Sequence, residues 1–201
     1  MIIANHKPIK IIGYTQSSMT QEFFNEISKT HNVSVIDPQQ FLSMPNKQSD
    51  QYIVSVSLDL KERQQIIALC DQQELDMITV IQDHCLLGVV PPPQIGPGTF
   101  VFAFSNIAIG SSIGRHCIIG EYTLIGHHVK LGKNCILRPN VMIIDKSQVG
   151  DNCVINTRST ITNKATVCND VELMGFSAIT KTVTCAGRYI GTPARKIQQT
   201  T

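Results

Sequence analysis

An apolar side chain recurs every six residues in the second half of the chain, first at Ile95 and last at Cys185. Four residues after most of these positions stands a small or β-branched side chain, as at Ser105 and Cys117. A six-residue period matches neither the face of an amphipathic helix nor the alternation of a long strand. It therefore constrains the fold more than any other feature of the sequence. The recurring positions are Ile95, Val101, Ile107, Ile113, Ile119, Ile125, Leu131, Leu137, Ile143, Val149, Ile155, Ile161, Val167, Leu173, Ile179 and Cys185.

A repeat of this length predicts one flat side of a coil, in which a short strand with its apolar side chain inward is followed by a turn. Three sides close one coil of about eighteen residues, and adjacent coils stack about 4.8 Å apart. One coil cannot bury its apolar side alone, so stacking completes the core. We therefore predict a mainly β fold, a parallel β-helix of about five coils. Three cysteines at intervals of eighteen residues should stack inside it as free thiols: Cys117, Cys135 and Cys153.

Residues before the repeat follow a different pattern, in which apolar strands alternate with helices. This alternation predicts a small α/β domain, Rossmann-like, with a mainly parallel sheet. We place this domain at residues 1–88 and the β-helix with its C-terminal tail at residues 89–201, joined by the stiff run Pro91–Pro93. The predicted elements are strands at Ile9–Gly13, Val33–Asp37, Tyr52–Ser57 and Met77–Val80 and helices at Thr20–Lys29 and Leu58–Cys70.

Ligands of parallel sheets bind beside the carboxyl ends of the strands. In the predicted α/β domain these ends lie at residues 13–18 and at Ser57–Asp59. We therefore predict that the turn formed by Gly13, Tyr14 and Thr15 binds part of the substrate. The turn is short of glycine for wrapping a phosphate, so it is a weak nucleotide fingerprint.

The two predicted domains differ in charge. Residues 1–88 contain six Lys and Arg against ten Asp and Glu, whereas the rest of the chain contains eleven against five. The positive excess of the second domain fits either a solvated surface or a site for a polyanionic ligand, such as a cofactor with several phosphates. The basic clusters with interleaved aromatic residues that are typical of nucleic-acid binding are missing.

The seven cysteines are odd in number and lack the spacing of a metal site. We expect them to be reduced, which favours the cytoplasm. The first ten residues lack the charged and then apolar build of a signal peptide, and no stretch approaches the roughly eighteen apolar residues of a membrane span. We therefore expect a cytoplasmic protein without a membrane span.

His127 and His128 occupy the third and fourth positions of one repeat, and neither position points inward. They are therefore either solvated or part of a site, where a neutral imidazole is a suitable base for an attacking amine or hydroxyl. Asp145 follows His127 by eighteen residues, so its carboxylate should lie one coil above and orient the ring. Glu121, one repeat before the histidines, is a candidate contact for the acceptor.

Two segments resemble the bacterial hexapeptide sugar acetyltransferases. Leu124–Cys135 is similar to that family's sequence around its histidine, Val-Ile-(acid)-His-(acid)-Cys-x-Ile-Gly, and Tyr189–Ile197 is similar to its closing Gly-x-Pro-Ala-(Lys or Arg) motif. The family includes sialic-acid O-acetyltransferases and N-acetyltransferases of nucleotide-linked amino sugars. The resemblance covers nearly the whole chain. It implies left-handed coils, acetyl-CoA as the acyl donor, and a homotrimer that binds coenzyme A between neighbouring subunits.

The resemblance also implies roles for individual residues. His127 falls on the family's general base. Gly175 falls on a glycine whose backbone lies along the pantetheine arm of coenzyme A. Arg195, with Lys196 beside it, falls on the basic residue near the nucleotide end of the cofactor.

The chain departs from the family's pattern in three places. The acids that flank the base are replaced by Gly126 and His128. Asp145 stands where relatives often have glycine, although its backbone N–H can still donate to an oxyanion. The turn at Gly13 differs from the Gly-x-x-Gly-His of relatives that bind nucleotide sugars, which favours a free or lipid-linked sugar as acceptor.

Together these features predict an acetyl-CoA-dependent acyltransferase that acetylates an amino or hydroxyl group of a sugar in bacterial surface-glycan biosynthesis. Transfer would be direct, without a covalent intermediate or a metal, and His127 or His128 would be the base. The alternative is a non-catalytic sugar-binding or scaffold trimer with a degenerate site, because the usual acids are missing. A zinc hydro-lyase on the same coils usually needs a His-x-x-x-x-His pair, which the sequence lacks.

Overall fold

The computed structural model describes residues 1–3, 7–45, 47–55 and 60–197. The chain forms two compact units. The first contains Met1–Val80 and Pro97–Thr99, and the second contains Ile81–Gly96 and Phe100–Thr201. The predicted domain boundary at residue 88 stays a prediction. In the division into compact units, residues 81–88 belong to the second unit.

The first unit is an α/β fold, as the alternation of strands and helices predicts. Its elements are β1 Ile2–Ile3, β2 Ile9–Ile12, α1 Ser18–Ile27, β3 Val33–Ile36, α2 Pro38–Ser43, β4 Gln51–Val54, α3 Leu60–Gln72, β5 Asp76–Met77 and β6 Thr79–Ile81, of which the last residue belongs to the second unit. Four parallel strands form a sheet in the order β3-β2-β4-β5, and β1 pairs antiparallel with β6. Helix α2 was not predicted from the sequence pattern. It begins at Pro38, because the Asp37 carboxylate caps it by accepting a hydrogen bond from the Gln39 N–H over 2.9 Å.

The second unit is a parallel β-helix built from very short strands. They are β7 Leu86–Leu87, β8 Gln94–Ile95, β9 Phe100–Val101, β10 Asn106–Ile107, β11 Ser112–Ile113, β12 Ile118–Ile119, β13 Leu124–Ile125, β14 Lys130–Leu131, β15 Ile136–Leu137, β16 Met142–Ile143, β17 Gln148–Val149, β18 Val154–Ile155, β19 Thr160–Ile161, β20 Thr166–Val167, β21 Val171–Leu173, β22 Ala178–Ile179, β23 Gly187–Gly191 and β24 Ala194–Lys196.

Every third strand stacks on the same face of this β-helix. The first face consists of β7, β10, β13, β16, β19 and β22, the second of β8, β11, β14, β17 and β20, and the third of β9, β12, β15, β18, β21, β23 and β24. Paired residues such as Leu124 and Met142 are eighteen positions apart. The Gly126 N–H donates to the Ile143 carbonyl of the next coil over 2.8 Å. The predicted left-handed parallel β-helix with an N-terminal α/β unit is confirmed.

The core of the second unit lies inside the coils. All the recurring apolar positions from Val101 to Ile179 are buried, as are the small side chains between them. The Ser105 hydroxyl donates to the Gly120 carbonyl one coil above over 2.9 Å, so a polar group inside the core keeps a partner. The predicted thiol stack is confirmed and consists of Cys117, Cys135 and Cys153.

The six-residue period begins earlier than the sequence analysis placed it. Leu87 pairs with Ile107, which lies twenty residues on, because the connection through Pro91–Pro93 is two residues longer than a regular coil. Ile81 and Leu87 pack with the core and continue the period upstream in a shifted phase. A search for one unbroken phase could not find them.

The C-terminal end of the repeat differs from the prediction. Val183 pairs with Val167 only sixteen residues before it. This shortening brings Val183 against the core and leaves Cys185, the predicted last inward position, exposed. The assignment of Cys185 to the core was wrong because the period of six ends after Ile179.

Candidate active site

The turns between the first and second faces form an edge that we call corner I (residues 108–111, 126–129, 144–147, 162–165 and 180–183). Residues eighteen apart share a column here, because the Lys146 N–H donates to the His127 carbonyl and the Lys164 N–H to the Asp145 carbonyl. Lys181 lies at this corner in the coil of β22, three coils above His127 and about 14 Å along the axis. Corner I therefore aligns an imidazole, a carboxylate and a lysine side chain.

His127 and Asp145 are in direct contact. Oδ1 of Asp145 accepts a hydrogen bond from the His127 backbone N–H over 2.8 Å, and Oδ2 lies 3.3 Å from Nδ1 of the ring. The side chains are 56% and 42% exposed, so both remain open to a ligand. The spacing of eighteen residues thus predicts the contact correctly, while the catalytic role of the pair stays a prediction.

The backbone half of this contact recurs elsewhere in the β-helix. Oδ1 of Asp151 accepts from the Lys133 N–H over 2.9 Å one coil below it. A glycine precedes the N–H donor in each case, at Gly126 and at Gly132. A Cβ atom at either glycine would approach the carboxylate oxygen above to 2.3 and 2.4 Å, respectively. Glycine at 126 is therefore what makes room for the carboxylate over the histidine.

The charge of Asp145 decides which ring nitrogen can act. The hydrogen bond from the His127 backbone N–H, and then the one from its ring, lower the pKa of the Asp145 carboxyl below its ordinary value. An ionised carboxylate can only accept, so Nδ1 must be the donor. The contact leaves Nε2 of His127 as the nitrogen that can accept a proton from a ligand.

His128 occupies a different position from its neighbour. Its backbone has a left-handed φ of 56°, like the corner residues of other coils such as Asn134 (53°) and Asn152 (57°). Its exposed ring lies over Gly110, where an added Cβ atom would come within 2.4 Å of Nδ1 of His128. Among the described residues, Asp145 forms its ion pair with His127. The geometry therefore favours His127 over His128 as the oriented base.

A groove of about 340 Å³ begins at the His127–Asp145 pair and runs along the first face. Apart from this pair, the walls of the groove are mostly aliphatic. The lining residues are Leu86, Leu87, Gly88, Asn106, Ala108, Ile109, Leu124, Gly126, His127, Ile144 and Asp145. This groove was not predicted from the sequence pattern. Its lower wall comes from β7, which lies outside the regular period.

A second hollow, of about 270 Å³, lies at the C-terminal end of the β-helix. It is lined by the turn after β22 and by the hairpin of β23 and β24, and its cationic residues are Lys181, Arg195 and Lys196. Arg195 also donates to the carbonyl of Ala194 over 3.1 Å. Lys181 was not predicted as a site residue, although it follows His127 by three intervals of eighteen residues.

Glu121 and Gly175 lie on another edge, between the third and first faces, which we call corner III (residues 120–123, 138–141, 156–159 and 174–177). The structure does not bring them to His127 within one chain, because the width of the first face separates corners I and III. Among the described residues other than its two chain neighbours, a Cβ atom at Gly175 would have only the Thr157 carbonyl oxygen within 4 Å, at 3.3 Å. That contact is tight for a Cβ atom, but packing inside the chain disfavours a side chain at Gly175 less strongly than at Gly126 or Gly132, where the distances are 2.3 and 2.4 Å.

The predicted substrate turn lies in the first unit, at the carboxyl end of β2. The Gly13 N–H donates to the Ile36 carbonyl over 3.0 Å, and the Tyr14 hydroxyl donates to the Glu62 carboxylate over 2.8 Å. The Thr15 carbonyl accepts from the Gln21 side chain. The other predicted ligand position, Ser57–Asp59, lies outside the described residues.

Two kinds of feature are absent from the described residues. Among residues 1–3, 7–45, 47–55 and 60–197, no helix is both long and apolar enough to cross a membrane. The same part of the chain holds no group of three or more His, Cys, Asp or Glu side chains arranged to bind a metal ion.

Comparison with protein families identifies the repeat. The model of the bacterial transferase hexapeptide, which spans six repeats, matches residues 128–163. The hexapeptide period continues in phase on both sides of the matched segment, from Ile95 to Ile179. No curated protein sequence matches the chain.

Solved structures share the arrangement of hexapeptide coils and N-terminal α/β unit. The chain is similar to a mutant of perosamine N-acetyltransferase from Caulobacter crescentus, which was crystallised with CoA and GDP-perosamine (TM-score 0.78, 16% identity, 97% of this chain and 98% of that one). It is also similar to the acetyltransferase domain of PglB from Neisseria gonorrhoeae (TM-score 0.82, 15% identity, 95% and 100%). A complex of the PglB domain with acetyl coenzyme A matches with a TM-score of 0.69 at 15% identity over 96% and 100%. Because the sequence identities are 15–16%, these similarities show a shared fold and nothing more.

Proposed function

We propose that the protein is an acetyl-CoA-dependent acyltransferase that acetylates an amino or hydroxyl group of a sugar in bacterial surface-glycan biosynthesis. The observation that carries the proposal is the contact of His127 with Asp145 beside an open groove. The fold supports it, since two structures of this fold were crystallised with CoA or acetyl-CoA and are named as acetyltransferases.

His127 acts as the general base in this proposal. Asp145 holds the proton on Nδ1, so Nε2 takes the proton from the attacking amine or hydroxyl and later returns it to the departing thiolate. Holding both substrates at one corner removes much of the entropic barrier, so no covalent intermediate is required. The Asp145 backbone N–H is our candidate donor to the oxyanion.

Two features of the chain fit coenzyme A, which supplies the activated acyl group. Lys181, Arg195 and Lys196 gather positive charge in the C-terminal hollow, which suits a ligand with several phosphates. Lys181 lies about 14 Å above His127 on the same corner, a distance that an extended arm can span. The absence of a side chain at Gly175 suits a backbone that a ligand approaches closely.

The separation of corners I and III supports a homotrimer. His127 and Gly175 lie on different edges of one chain, so a site that uses both needs the neighbouring subunit to supply one of them. We propose that coenzyme A binds in the cleft between two β-helices, with corner I of one chain facing corner III of the next. Glu121, on corner III, would then be able to contact the acceptor.

The acceptor side is the least constrained part of the proposal. The turn of Gly13, Tyr14 and Thr15 stays our candidate for binding the sugar, with Tyr14 fixed by its hydrogen bond to Glu62. His128, on the edge beside the base, is a second candidate for contact with the reacting group. Because the described cysteines are all free thiols, we place the enzyme in the cytoplasm.

The test is coenzyme A binding followed by transfer. We expect coenzyme A to raise the thermal unfolding temperature of the purified protein, and acetyl-CoA to release free thiol when an amino or hydroxyl sugar from a panel is added. Binding of coenzyme A without release by any sugar would favour the scaffold alternative. Absence of coenzyme A binding would reject the proposed function.

A further inference from the structure

The groove beside His127 is longer than an acetyl group needs. Its lining comes from four coils, with Gly88, Ala108, Gly126 and Ile144 in corresponding positions after the strands of the first face. Two coil spacings separate Gly126 from Gly88, which is about 10 Å along the axis. The groove thus extends well beyond the atoms that react.

The lining of the groove suits an aliphatic ligand better than a sugar. Besides His127 and Asp145, Asn106 is the only described lining residue of the groove with a polar side chain. A sugar carries several hydroxyl groups, and each one buried without a hydrogen-bond partner is costly. An alkyl chain needs no partner and gains free energy from every methylene that leaves water. Leu86, which is 66% exposed, offers apolar area for such a chain to cover.

The groove also lies on the opposite side of His127 from the cations. Lys181 is three coils above His127, toward the C-terminus, whereas Leu86–Gly88 lie two coils below it. A thioester that reaches His127 from the C-terminal hollow would therefore point its acyl group toward the groove. The groove is continuous with the reacting position, because His127 and Asp145 form its upper end.

We propose that this groove binds the acyl chain of the donor, and that the protein accepts acyl-CoA thioesters several carbons longer than acetyl-CoA. This inference rests on the proposed function. In the reaction, the acceptor nitrogen or oxygen bonds to the acyl carbonyl carbon as the carbon–sulfur bond breaks. The electron pair of that bond goes to sulfur, and the proton taken up by His127 ends on the thiol.

The experiment is a chain-length series of binding measurements on the full-length protein. Dissociation constants of coenzyme A, acetyl-CoA, butyryl-CoA, hexanoyl-CoA and octanoyl-CoA are measured by calorimetry, so no acceptor is needed. We expect the dissociation constant to fall roughly threefold for each added methylene until the groove is filled. Equal or weaker binding of butyryl-CoA and hexanoyl-CoA than of acetyl-CoA would overturn the inference and leave the proposed function standing.

A variant that fills the groove tests where the chain binds. Ala108→Leu adds volume between the coils of Leu86 and Leu124, and we expect it to lower the ratio of hexanoyl-CoA to acetyl-CoA affinity at least tenfold. Ala68→Leu changes an exposed residue of α3 that is not among the lining residues, so it is the control and should keep the wild-type ratio. An unchanged ratio in a folded Ala108→Leu protein would overturn the assignment to this groove. If the wild-type protein does not bind coenzyme A, the proposed function and this inference are both rejected.

Discussion

Two places in the β-helix share one hydrogen-bonding arrangement and differ in what it contacts. At Gly132–Lys133, Oδ1 of Asp151 accepts from a backbone N–H over 2.9 Å, and at Gly126–His127, Oδ1 of Asp145 does the same over 2.8 Å. Only the second carboxylate also approaches a ring nitrogen below it, at 3.3 Å. The backbone contact therefore belongs to the coil, and the ring contact is what makes corner I a candidate active site.

Removing the ring should have the largest effect on activity. His127→Ala removes the proposed base, so we expect turnover to fall about a hundredfold or more while coenzyme A affinity stays near the wild-type value. Steady-state kinetics with acetyl-CoA and an active sugar acceptor measure the first quantity, and calorimetry the second. Lys133→Ala, at the equivalent place of the other arrangement, is the control and should keep full turnover. Wild-type turnover in His127→Ala would mean that the base is misassigned.

Neutralising the carboxylate should have the next largest effect. An asparagine can still accept the backbone hydrogen bond, since Oδ1 of Asn169 accepts from the Asp151 N–H over 2.9 Å. Asp145→Asn should therefore keep the coil intact but lose the charge that holds the proton on Nδ1, and turnover should fall roughly tenfold. Asp151→Asn is the matched control. If both variants lower turnover equally, the ring contact of Asp145 has no special role.

Adding one methyl group below each carboxylate distinguishes an effect on stability from an effect on turnover. Gly126→Ala and Gly132→Ala both put a Cβ atom within 2.3 to 2.4 Å of a carboxylate oxygen. We expect each to lower the free energy of unfolding by about 1–3 kcal/mol, as measured by denaturant titration. Only Gly126→Ala should also lower turnover, by several-fold, because it displaces Asp145 from the ring. The comparison fails if Gly132→Ala is equally impaired in turnover.

The smallest expected effect is a pH dependence of stability. The pKa of Asp145 is lower in the folded protein than its ordinary value, so the carboxylate stabilises the fold above about pH 4. That contribution is lost as the pH falls through the lowered pKa. The difference in unfolding temperature between wild type and Asp145→Asn should therefore shrink as the pH falls below about 4. A difference that grows as the pH falls below about 4 would show that the sign of the shift is wrong.

The interior of the β-helix could be predicted almost completely from the sequence. Each buried position from Val101 to Ile179 repeats the same local demand for an apolar side chain, so a pattern of six residues reports it directly. The pattern failed at the two ends. There the coil gains two residues through Pro91–Pro93 and loses two before Val183, and pairing across coils overrides local periodicity.

The candidate site was only partly predictable. The contact of His127 with Asp145 follows from an interval of eighteen residues, because stacked coils turn a sequence interval into a distance. The same arithmetic does not reveal the separation of Glu121 and Gly175 from corner I, since a linear interval says nothing about which edge faces a ligand. The groove depends on how outward side chains of four coils combine, and no periodic signal records it.

The amino-acid sequence by itself determined that the chain coils in steps of eighteen residues, which positions face inward, and which column holds the histidine and its carboxylate. Only the tertiary structure decided which nitrogen of His127 faces Asp145, why residue 126 is glycine, and that an aliphatic groove opens beside them. The physical reason is that burial acts on each residue locally and leaves a repeating mark. A site, by contrast, is made by distances between side chains whose positions depend on the whole stack.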